Sequence, residues 1–454
     1  MREENKMAAR PVFPLLMSMA VPPMISMLIQ SLYNIVDSMF VAQIGERALT
    51  AVSLAFPVQT LIVACSVGIG VGVNSYIARS LGRGDQAAAD SAVAHGLIMA
   101  AAASLIFVAA GLFAAKPFFH LFTSDPEILA EAYTYTVICV TFCTGSFIHI
   151  CIEKVFQSTG SMIFPMLMQA LGAIVNIILD PILIFGVGRI PGMGVKGAAV
   201  ATVIGQCVAM SASLAVFLWG RFAVKLDLKH FSFRWEVVRQ ICAVALPNTC
   251  MNALGSVLVM GLNSLLISFS NTAVSLFGIY YKLQTFVFMP ASGLTQGAMP
   301  IMGFSYGAGN GARLQKVLQI SLRACAVIMA AGCLLFCAAP AFLLSLFHAS
   351  EEMLAIGVPA LRMISLSFLP ASVGFILPTM FQAMGKGGCS LVVFLLRQLL
   401  ITLPAAFVLS RVFGLAGIWA SFFLAESAAA VVSLVFYRRL RRTDPVLQGG
   451  EGPF

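Results

Sequence analysis

Two aspartates lie inside stretches of the sequence that are otherwise apolar. Asp180 is part of NIILDPILIF, residues 176–185, in which eight of ten residues are apolar, and Asp37 lies in a comparable run. A charged aspartate in the middle of a membrane helix costs about 2.5–3.5 kcal/mol on insertion scales, and such residues usually mark ion or proton pathways. Asn34 and Asn176 precede these acids by about one helical turn, so each amide shares a helix face with its acid. This pattern predicts reversible binding of H+ or of Na+ at the two carboxyl groups, and no other metal.

The two acids are expected at the same depth in a membrane. Asp37 lies about eight residues before the end of the first predicted helix, and Asp180 lies about seven before the end of the fifth. At 1.5 Å per residue both carboxyl groups lie roughly 10–12 Å below the outer surface. Two acids at one depth in one bundle could share a proton or a monovalent cation. The alternative for each is a polar residue hydrogen-bonded to a neighbour.

Other polar residues allow two interpretations. Glu153 is a candidate for the same coupling site, but its neighbour Lys154 also allows a local ion pair. Glu426 could form a structural pair with an arginine or lysine of the second half, or contact a substrate. The predicted substrate cavity is lined by Met39, Gln59, Lys282, Gln284 and Met289. Flexible methionines suit promiscuous binding, although most are also good core filler.

Prolines occur in the two predicted helices that carry Asp37 and Asp180. Pro22 and Pro23 interrupt the hydrogen-bond ladder of the first helix and allow it to bend, either as a hinge or as a static kink. Pro181 frees a carbonyl one turn before it, near Ile177, where a cation could bind. Either proline of the first helix is a candidate hinge.

The composition defines the elements that must hold these residues. The 454 residues are 60% hydrophobic and only 10% charged, with a mean hydropathy of +0.96. Soluble domains carry about a quarter charged residues, so the chain is predicted to be a polytopic all-α membrane protein. The eleven cysteines are scattered singly and include no CxxC pair, which fits neither a disulfide framework nor a zinc site. The first apolar run lacks a small-residue cleavage site, so we expect it to be a retained helix.

Twelve apolar stretches of helical length can be separated by charged or Gly/Pro punctuation. They are predicted at 12–43, 49–79, 92–115, 129–157, 162–187, 195–219, 237–268, 273–305, 315–340, 353–382, 388–410 and 415–437. The two tails and the even-numbered loops carry about 18 Lys and Arg residues, and the odd-numbered loops carry about five. The positive-inside rule therefore places both termini in the cytoplasm. The net charge of +9 is topological and does not indicate a nucleic-acid partner.

The two halves of the sequence match at a nearly constant offset of 225 in residue number. GRGD at 82–85 corresponds to GAGN at 307–310, FQSTG at 156–160 to FQAMG at 381–385, and Gly68 and Gly72 to Gly293 and Gly297. The offset falls to 220 late in each half. Each half has six helices, so the halves share one orientation and are related by a pseudo-two-fold axis along the membrane normal. Such duplicated bundles are typical of secondary transporters.

This repeat serves as an internal control for the polar residues. A residue needed only for the shared fold should recur at the equivalent position of the second half. Asp37 corresponds instead to Leu262, Asn176 to Ile401, Asp180 to Ala405 and Glu153 to Pro378. The fold therefore tolerates apolar side chains at these places, and the acids of the first half are not explained by architecture.

The predicted domains follow from the repeat. They are a cytoplasmic tail at 1–11, an N-lobe at 12–219, a cytoplasmic linker at 220–236, a C-lobe at 237–440 and a second cytoplasmic tail at 441–454. The linker is the only long polar connector, and we expect it to let the lobes rock.

The residues resemble the multidrug and toxic compound extrusion (MATE) transporters of the MOP flippase superfamily, near the subgroup typified by staphylococcal multidrug exporters. The matching features are VDSMFVAQIG in helix 1, SLGRGD after helix 2, EKVFQSTG at the end of helix 4, NIILDPILIF and the second GAGN. The resemblance covers residues 10–440. It implies two lobes that export lipophilic, often cationic compounds, driven by inward flow of H+ or Na+.

The resemblance also implies roles for single residues. An acid of helix 1 and an Asn/Asp pair of helix 5 form the cation site of the first lobe in that family, and these fall on Asp37, Asn176 and Asp180. A polar residue of helix 4 and a threonine of helix 6 join them, by position Glu153 and Thr202. The helix-1 proline of the family falls on Pro22. Some members have acidic coupling residues in the second lobe, where this chain has Lys282.

The leading hypothesis is a cation-coupled multidrug antiporter, monomeric, without a cofactor, in the plasma (inner) membrane of a bacterium. The alternative is a flippase for a lipid-linked sugar, which would use Lys282, Arg362 and Arg397 to hold a diphosphate. An ATP-driven pump is disfavoured because no GxxxxGK[ST] occurs. An enzyme is disfavoured because no HExxH, GxSxG or histidine cluster occurs, and nothing indicates the filter of a passive channel.

Overall fold

The computed structural model describes residues 6–122, 125–188, 190–227, 231–347 and 349–449. Residues 1–5 and 450–454 of the predicted tails and residues 228–230 of the predicted linker lie outside the described residues. The described chain is nearly all helical, as the apolar composition predicts, because a membrane-embedded backbone must satisfy its polar groups within each segment.

The first half contains eight helices and one short hairpin. The helices are α1 (Lys6–Ala9), α2 (Val12–Ile44), α3 (Glu46–Gly82), α4 (Gln86–His120), α5 (Pro126–Thr141), α6 (Thr144–Ser158), α7 (Ile163–Phe185) and α8 (Val195–Trp219). The antiparallel strands β1 (Gly186–Val187) and β2 (Ile190–Pro191) connect α7 to α8.

The second half contains ten helices and one π-helical stretch. Its helices are α9 (Trp235–Leu266), α10 (Asn271–Gly307), α11 (Gly311–Ala338), α12 (Pro340–Ser345), α13 (Glu351–Ser365), α14 (Phe368–Ala383), α15 (Gly387–Leu395), α16 (Thr402–Phe413), α17 (Leu415–Thr443) and α18 (Pro445–Gln448). A π-helical stretch, Leu396–Ile401, joins α15 to α16.

Each of the twelve predicted spans corresponds to one helix, to one bent helix pair or, at 388–410, to α15, the π-helical stretch and α16 in succession. Among the described residues nine helical segments are long and apolar enough to cross a membrane, and the bent pairs α5/α6 and α13/α14 raise the number to eleven. The remaining predicted span corresponds to α10, which has 37 residues but carries Lys282, Gln284 and several hydroxyl side chains. The fold class predicted from sequence is confirmed by the solved structures described below.

The structure reproduces the internal repeat at the level of single turns. The bend between α5 and α6 is 47°, and the bend between α13 and α14, at the equivalent place of the second half, is 44°. Gly84 and Gly309 both have positive φ values, 74° and 68°. The following residues, Asp85 and Asn310, both cap a helix by accepting a backbone N–H bond from the third residue on.

The hairpin explains why the offset falls to 220. In the first half residues 186–194 separate α7 from α8, whereas α16 leads into α17 across Gly414 alone. Both connections end on a glycine with positive φ, Gly194 at 54° and Gly414 at 58°, directly before the next helix. The extra hairpin is therefore an insertion that leaves the helices themselves in register.

The described chain divides into two compact units. The first unit contains Ile25–Thr249, and the second contains the residues up to Met24 and those from Cys250 onward. The division passes through α2 and α9 at equivalent positions of the repeat, two residues after Pro22 and two after Pro247. It differs from the lobe boundaries expected at 12–219 and 237–440, which stay a prediction.

Glycines allow the first half of α2 and the first half of α9 to pack closely against a neighbouring helix. In the first unit, a Cβ on Gly68 would lie 2.7 Å from the carbonyl oxygen of Ala245, on α9. In the second unit, a Cβ on Gly297 would lie 2.8 Å from the backbone nitrogen of Ala20, on α2. Gly68/Gly72 and Gly293/Gly297 are GxxxG pairs, which allow helix backbones to approach closely.

Candidate cation site in the first unit

The site is built from the second half of α2 and from α7 and α8. Helices α7 and α8 approach closely because Gly172 and Gly205 face each other: a Cβ on Gly172 would lie 3.0 Å from the carbonyl oxygen of Gly205. This close approach brings Asn176 of α7 and Thr202 of α8 into contact. Both side chains are buried, at 2% and 6% exposure.

The carboxyl groups of Asp37 and Asp180 are in contact within this site, within hydrogen-bonding range of each other. Asp180 is fully buried. One oxygen of each acid, Oδ1 in both cases, is buried without a hydrogen-bond partner among the described residues. Two carboxylates in contact repel each other unless a proton or a cation lies between them.

Asn176 links Asp180 to the backbone of α8. With its amide nitrogen turned toward Asp180, Asn176 donates to Asp180 Oδ2 at 3.0 Å and accepts from the backbone N–H of Thr202 at 3.0 Å. The opposite orientation leaves only a 3.4 Å bond from Nδ2 to Thr202 Oγ1. The first orientation satisfies both groups, so the hydrogen-bond network favours it.

Two tyrosines that sequence reasoning missed complete the cluster. Tyr33 hydrogen-bonds with Thr202 and lies close to both aspartates, and Tyr135 lies close to Asp37 and Tyr33. Gln59, predicted to line a substrate cavity, instead donates to the Tyr135 hydroxyl at 3.0 Å. Tyr33 precedes Asp37 by four residues and so shares its helix face, a signal the sequence does contain. Tyr135 comes from α5 and has no such local signal.

The structure does not bring Asn34 or Glu153 into this cluster. Asn34 is exposed on α2. Glu153 lies near the end of α6, whereas Asp180 lies near the end of the antiparallel α7, so their side chains are at opposite ends of the bundle. Glu153 pairs with Lys154 at 3.0 Å and accepts from Gln157 at 2.8 Å. The local ion pair that the sequence allowed is the arrangement observed.

The remaining predicted residues also lie outside the aspartate cluster. Met39 is 58% exposed, on the same helix as Asp37. Lys282 is exposed and Gln284 and Met289 are half-buried, and all three belong to α10 of the second unit. Pro22 is buried within α2 and belongs to the second unit, two residues before the division.

The second unit contains a buried ion pair of its own. Arg397, in the π-helical stretch, lies 3.5 Å from Glu426 of α17, and both side chains are 13% exposed. The guanidinium group also packs against the rings of Phe375 and Phe394. Arg397 Nε and Glu426 Oε2 have no hydrogen-bond partner among the described residues. Arg397 occupies the repeat position of Gly172, the close-packed glycine of the first half.

The donor set of the first unit suits a small monovalent ion. Asp37, Asp180, Asn176 and Thr202 offer carboxylate, amide and hydroxyl oxygens, which are the ligands that hard cations prefer. Among the described residues no group of three His, Cys, Asp or Glu side chains is arranged to hold a metal. The arrangement can therefore exchange a proton or hold a monovalent cation between two acids.

A repeated bundle of apolar helices with a buried carboxyl pair defines a multi-pass membrane transport protein. The MatE family model matches residues 22–182 and 247–408, one segment in each half. The chain belongs to the MatE family, as the sequence motifs indicated. Members of this family are transporters, so the expectation that the chain is not an enzyme is confirmed.

The relatives agree with this assignment along the full chain. The multidrug export protein MepA of Staphylococcus saprophyticus is 27% identical over 95% of this chain and 94% of its own length. The FAD transporter of Shewanella oneidensis is 26% identical over 92% of each chain. A crystal structure of MATE in complex with MaL6 matches with a TM-score of 0.90 and 26% identity, covering 99% of this chain and 100% of the other. MATE transporters have twelve membrane helices in two lobes, which confirms the predicted fold.

Proposed function

We propose that this protein is a secondary active antiporter that exports lipophilic, cationic compounds in exchange for H+ or Na+. The observation that carries the proposal is the contact between Asp37 and Asp180 beside Asn176 and Thr202. A buried carboxyl pair that can take up one small cation is the chemistry that an antiporter needs to couple an ion gradient to export.

Coupling between the ion and the cargo follows from the two charge states of the Asp37/Asp180 pair. Without an added cation the two carboxylates repel each other, and a proton or Na+ removes that repulsion. If one arrangement of the lobes favours the occupied pair and the other favours bound cargo, the ion and the cargo drive each other across the membrane. Such coupling is reciprocal, because each ligand changes the affinity for the other by the same factor.

Pro22 is the proposed hinge of this exchange. It interrupts the hydrogen-bond ladder of α2 two residues before the position where the helix passes from the second unit to the first. A bend there would move Asp37 relative to the part of α2 that belongs to the second unit.

We further propose a location in the plasma membrane of a bacterium, with both termini in the cytoplasm and the chain acting as a monomer. The bias of Lys and Arg toward the tails and even-numbered loops supports this orientation.

The test is transport by the purified chain in proteoliposomes, with a pH gradient and a sodium gradient imposed separately. A fluorescent lipophilic cation serves as cargo. Export driven by one gradient, and lost in Asp37→Asn, is the expected result. Movement of the dye that neither gradient changes would contradict the proposal.

An anionic dinucleotide, of the kind named for the Shewanella relative, is the second candidate cargo. Lys282 favours it, because this exposed cation has no carboxylate partner among the described residues. Adding FAD to the same assay decides between them: FAD export that is lost in Lys282→Ala would favour the anionic cargo. The flippase alternative has less support, because Arg397 is neutralised by Glu426 and Arg362 donates to the carbonyl of Cys337.

A further inference from the structure

The chain folds back at the end of α17 and docks on the second unit. Asp444 accepts from Lys386 Nζ at 2.8 Å and from the Tyr306 hydroxyl at 2.9 Å. Three residues later, the carbonyl oxygen of Leu447 accepts from the buried Gln315 side chain at 2.8 Å. These bonds fix the short helix α18 beside the last turns of α17.

The first half docks its own segment in the same way. After α8, Ala223 accepts from Gln86 at 2.6 Å, and the backbone N–H of Lys225 donates to Asp90 at 2.8 Å. Asp90 and Gln315 occupy equivalent positions of the two halves. The helix position that binds the docked segment is therefore part of the repeat. The docking of the segment is therefore explained by the shared fold.

Two of the three arginines beside the docked segment, Arg438 and Arg442, do not recur in the first half, whereas Arg441 corresponds to Arg221 at the late offset of 220. Arg438 corresponds, at the late offset of 220, to Leu218 of α8, and Arg439 corresponds to Trp219. An amphipathic or topological role would not require that particular side chains converge. Here Arg438, Arg441, Arg442 and Gln448 line one open cavity of about 420 Å³, which we call the tail pocket.

The tail pocket keeps its positive charge. Burial alone would raise the pKa of Asp444, but hydrogen bonds from Lys386 and Tyr306 lower it below its ordinary value, so this acid is ionised and already committed to those partners. Among the described residues neither Arg438 nor Arg442 has a carboxylate partner. Gln448 is held in the pocket wall by its bond to the carbonyl oxygen of Arg442 at 2.7 Å.

We propose that the tail pocket binds a phosphate group, most directly the phosphodiester of an anionic phospholipid headgroup. Guanidinium groups present paired N–H donors that match phosphate oxygens, and an amide adds a further donor. Clustered arginines directly after a membrane helix attract anionic lipid, because that is where headgroups lie. The site is separate from the aspartate cluster, so it adds lipid binding to the transport proposal without depending on it.

The test uses the purified full-length chain in neutral detergent, titrated with short-chain phosphatidylglycerol, short-chain phosphatidylcholine or inorganic phosphate. Binding is followed by native mass spectrometry and by the shift in thermal unfolding temperature. The wild-type chain should bind phosphatidylglycerol in preference to phosphatidylcholine. Each arginine removed should weaken that binding about fivefold, so Arg438→Gln/Arg442→Gln should weaken it about 25-fold.

The matched control is Arg221→Gln/Arg234→Gln, which removes the same charge from exposed positions near the linker. Unchanged binding in the control, with unchanged unfolding temperature of all ligand-free variants, would support the tail pocket. Displacement of the lipid by millimolar inorganic phosphate would support the same site and assign it to free phosphate as well. Equal loss in both double variants, or no loss in Arg438→Gln/Arg442→Gln, would overturn the proposal.

Discussion

At the scale of residues, the Asp37/Asp180 carboxyl pair differs in charge from the Arg397/Glu426 pair of the second unit. Asp37 and Asp180 have like charge and are in contact, whereas Arg397 and Glu426 have opposite charge and neutralise each other. A like-charged pair needs a mobile cation, and an opposite-charged pair does not. This difference is why we propose ion coupling for the first unit and a structural role for the pair in the second.

Asp180→Asn should abolish gradient-driven export and leave expression normal. The amide keeps the shape and the hydrogen bond to Asn176 but can neither take up a proton nor attract a cation. Drug resistance of an efflux-deficient host, with protein level measured in the membrane fraction, checks this. The comparison variant is Glu153→Gln, which removes a carboxylate outside the cluster and should lower resistance less, because Lys154 keeps its hydrogen bond to Gln157. Resistance retained by Asp180→Asn would refute the coupling role.

Glu426→Gln should destabilise the protein more than the double change Arg397→Leu/Glu426→Leu. Removing one partner leaves a buried uncompensated charge, which costs about 3–5 kcal/mol, whereas apolar replacement of a whole pair is often neutral. Thermal unfolding in detergent measures both variants. If the single and double variants unfold at the same temperature, the pair has no coupling and is not structural.

At the scale of elements, paired glycines determine which helix halves pack together. Gly68/Gly72 on α3 contact the first half of α9, and Gly293/Gly297 on α10 contact the first half of α2. Both contacts span a proline of the neighbouring helix: Gly293 meets Ala20 and Met24, on either side of Pro22 and Pro23, and Gly68 meets Ala245 and Thr249, on either side of Pro247. The glycines therefore fix one end of α2 in the second unit, while Asp37 at the other end belongs to the first.

Gly297→Ala should destabilise the second unit by about 1–3 kcal/mol, the usual cost of overpacking. The added Cβ would lie 2.8 Å from the backbone of Ala20, which cannot move without shifting α2. Gly278→Ala is the matched control on the same helix, because its Cβ meets nothing within 4 Å. It should be neutral or slightly stabilising, since alanine favours helix more than glycine does. Equal unfolding temperatures of the two variants would contradict the role of Gly297.

At the scale of the whole molecule, the repeat and the charge distribution make a prediction about orientation. Twelve spans place both termini on one side, and the bias in Lys and Arg predicts that this side is the cytoplasm. Green fluorescent protein fused to the C-terminus should fluoresce, and alkaline phosphatase fused there should be inactive. Phosphatase fused in the connection between α4 and α5 should be active. The opposite pattern would invert the proposed direction of transport.

The sequence by itself determined the features that repeat along the chain. Hydropathy placed the twelve spans, because each crosses a membrane of fixed thickness and must satisfy its own backbone. The constant offset between the two halves predicted the paired turns at Gly84 and Gly309, whose positive φ values glycine tolerates best. The same offset singled out Asp37 and Asp180 as residues that the shared fold does not require.

Only the tertiary structure decided which side chains meet. Counting residues along the helices predicted the same depth for the two aspartates. Depth does not determine how each helix is rotated about its axis, so the contact between the two carboxyl groups depends on how α2, α7 and α8 pack. The structure places Tyr135 in the cluster and Glu153 outside it for the same reason. Both positions depend on how α5 and α6 pack against helices that are distant in sequence. Helical periodicity orders residues along one helix, whereas contacts between helices depend on the packing of small residues such as Gly172 and Gly205.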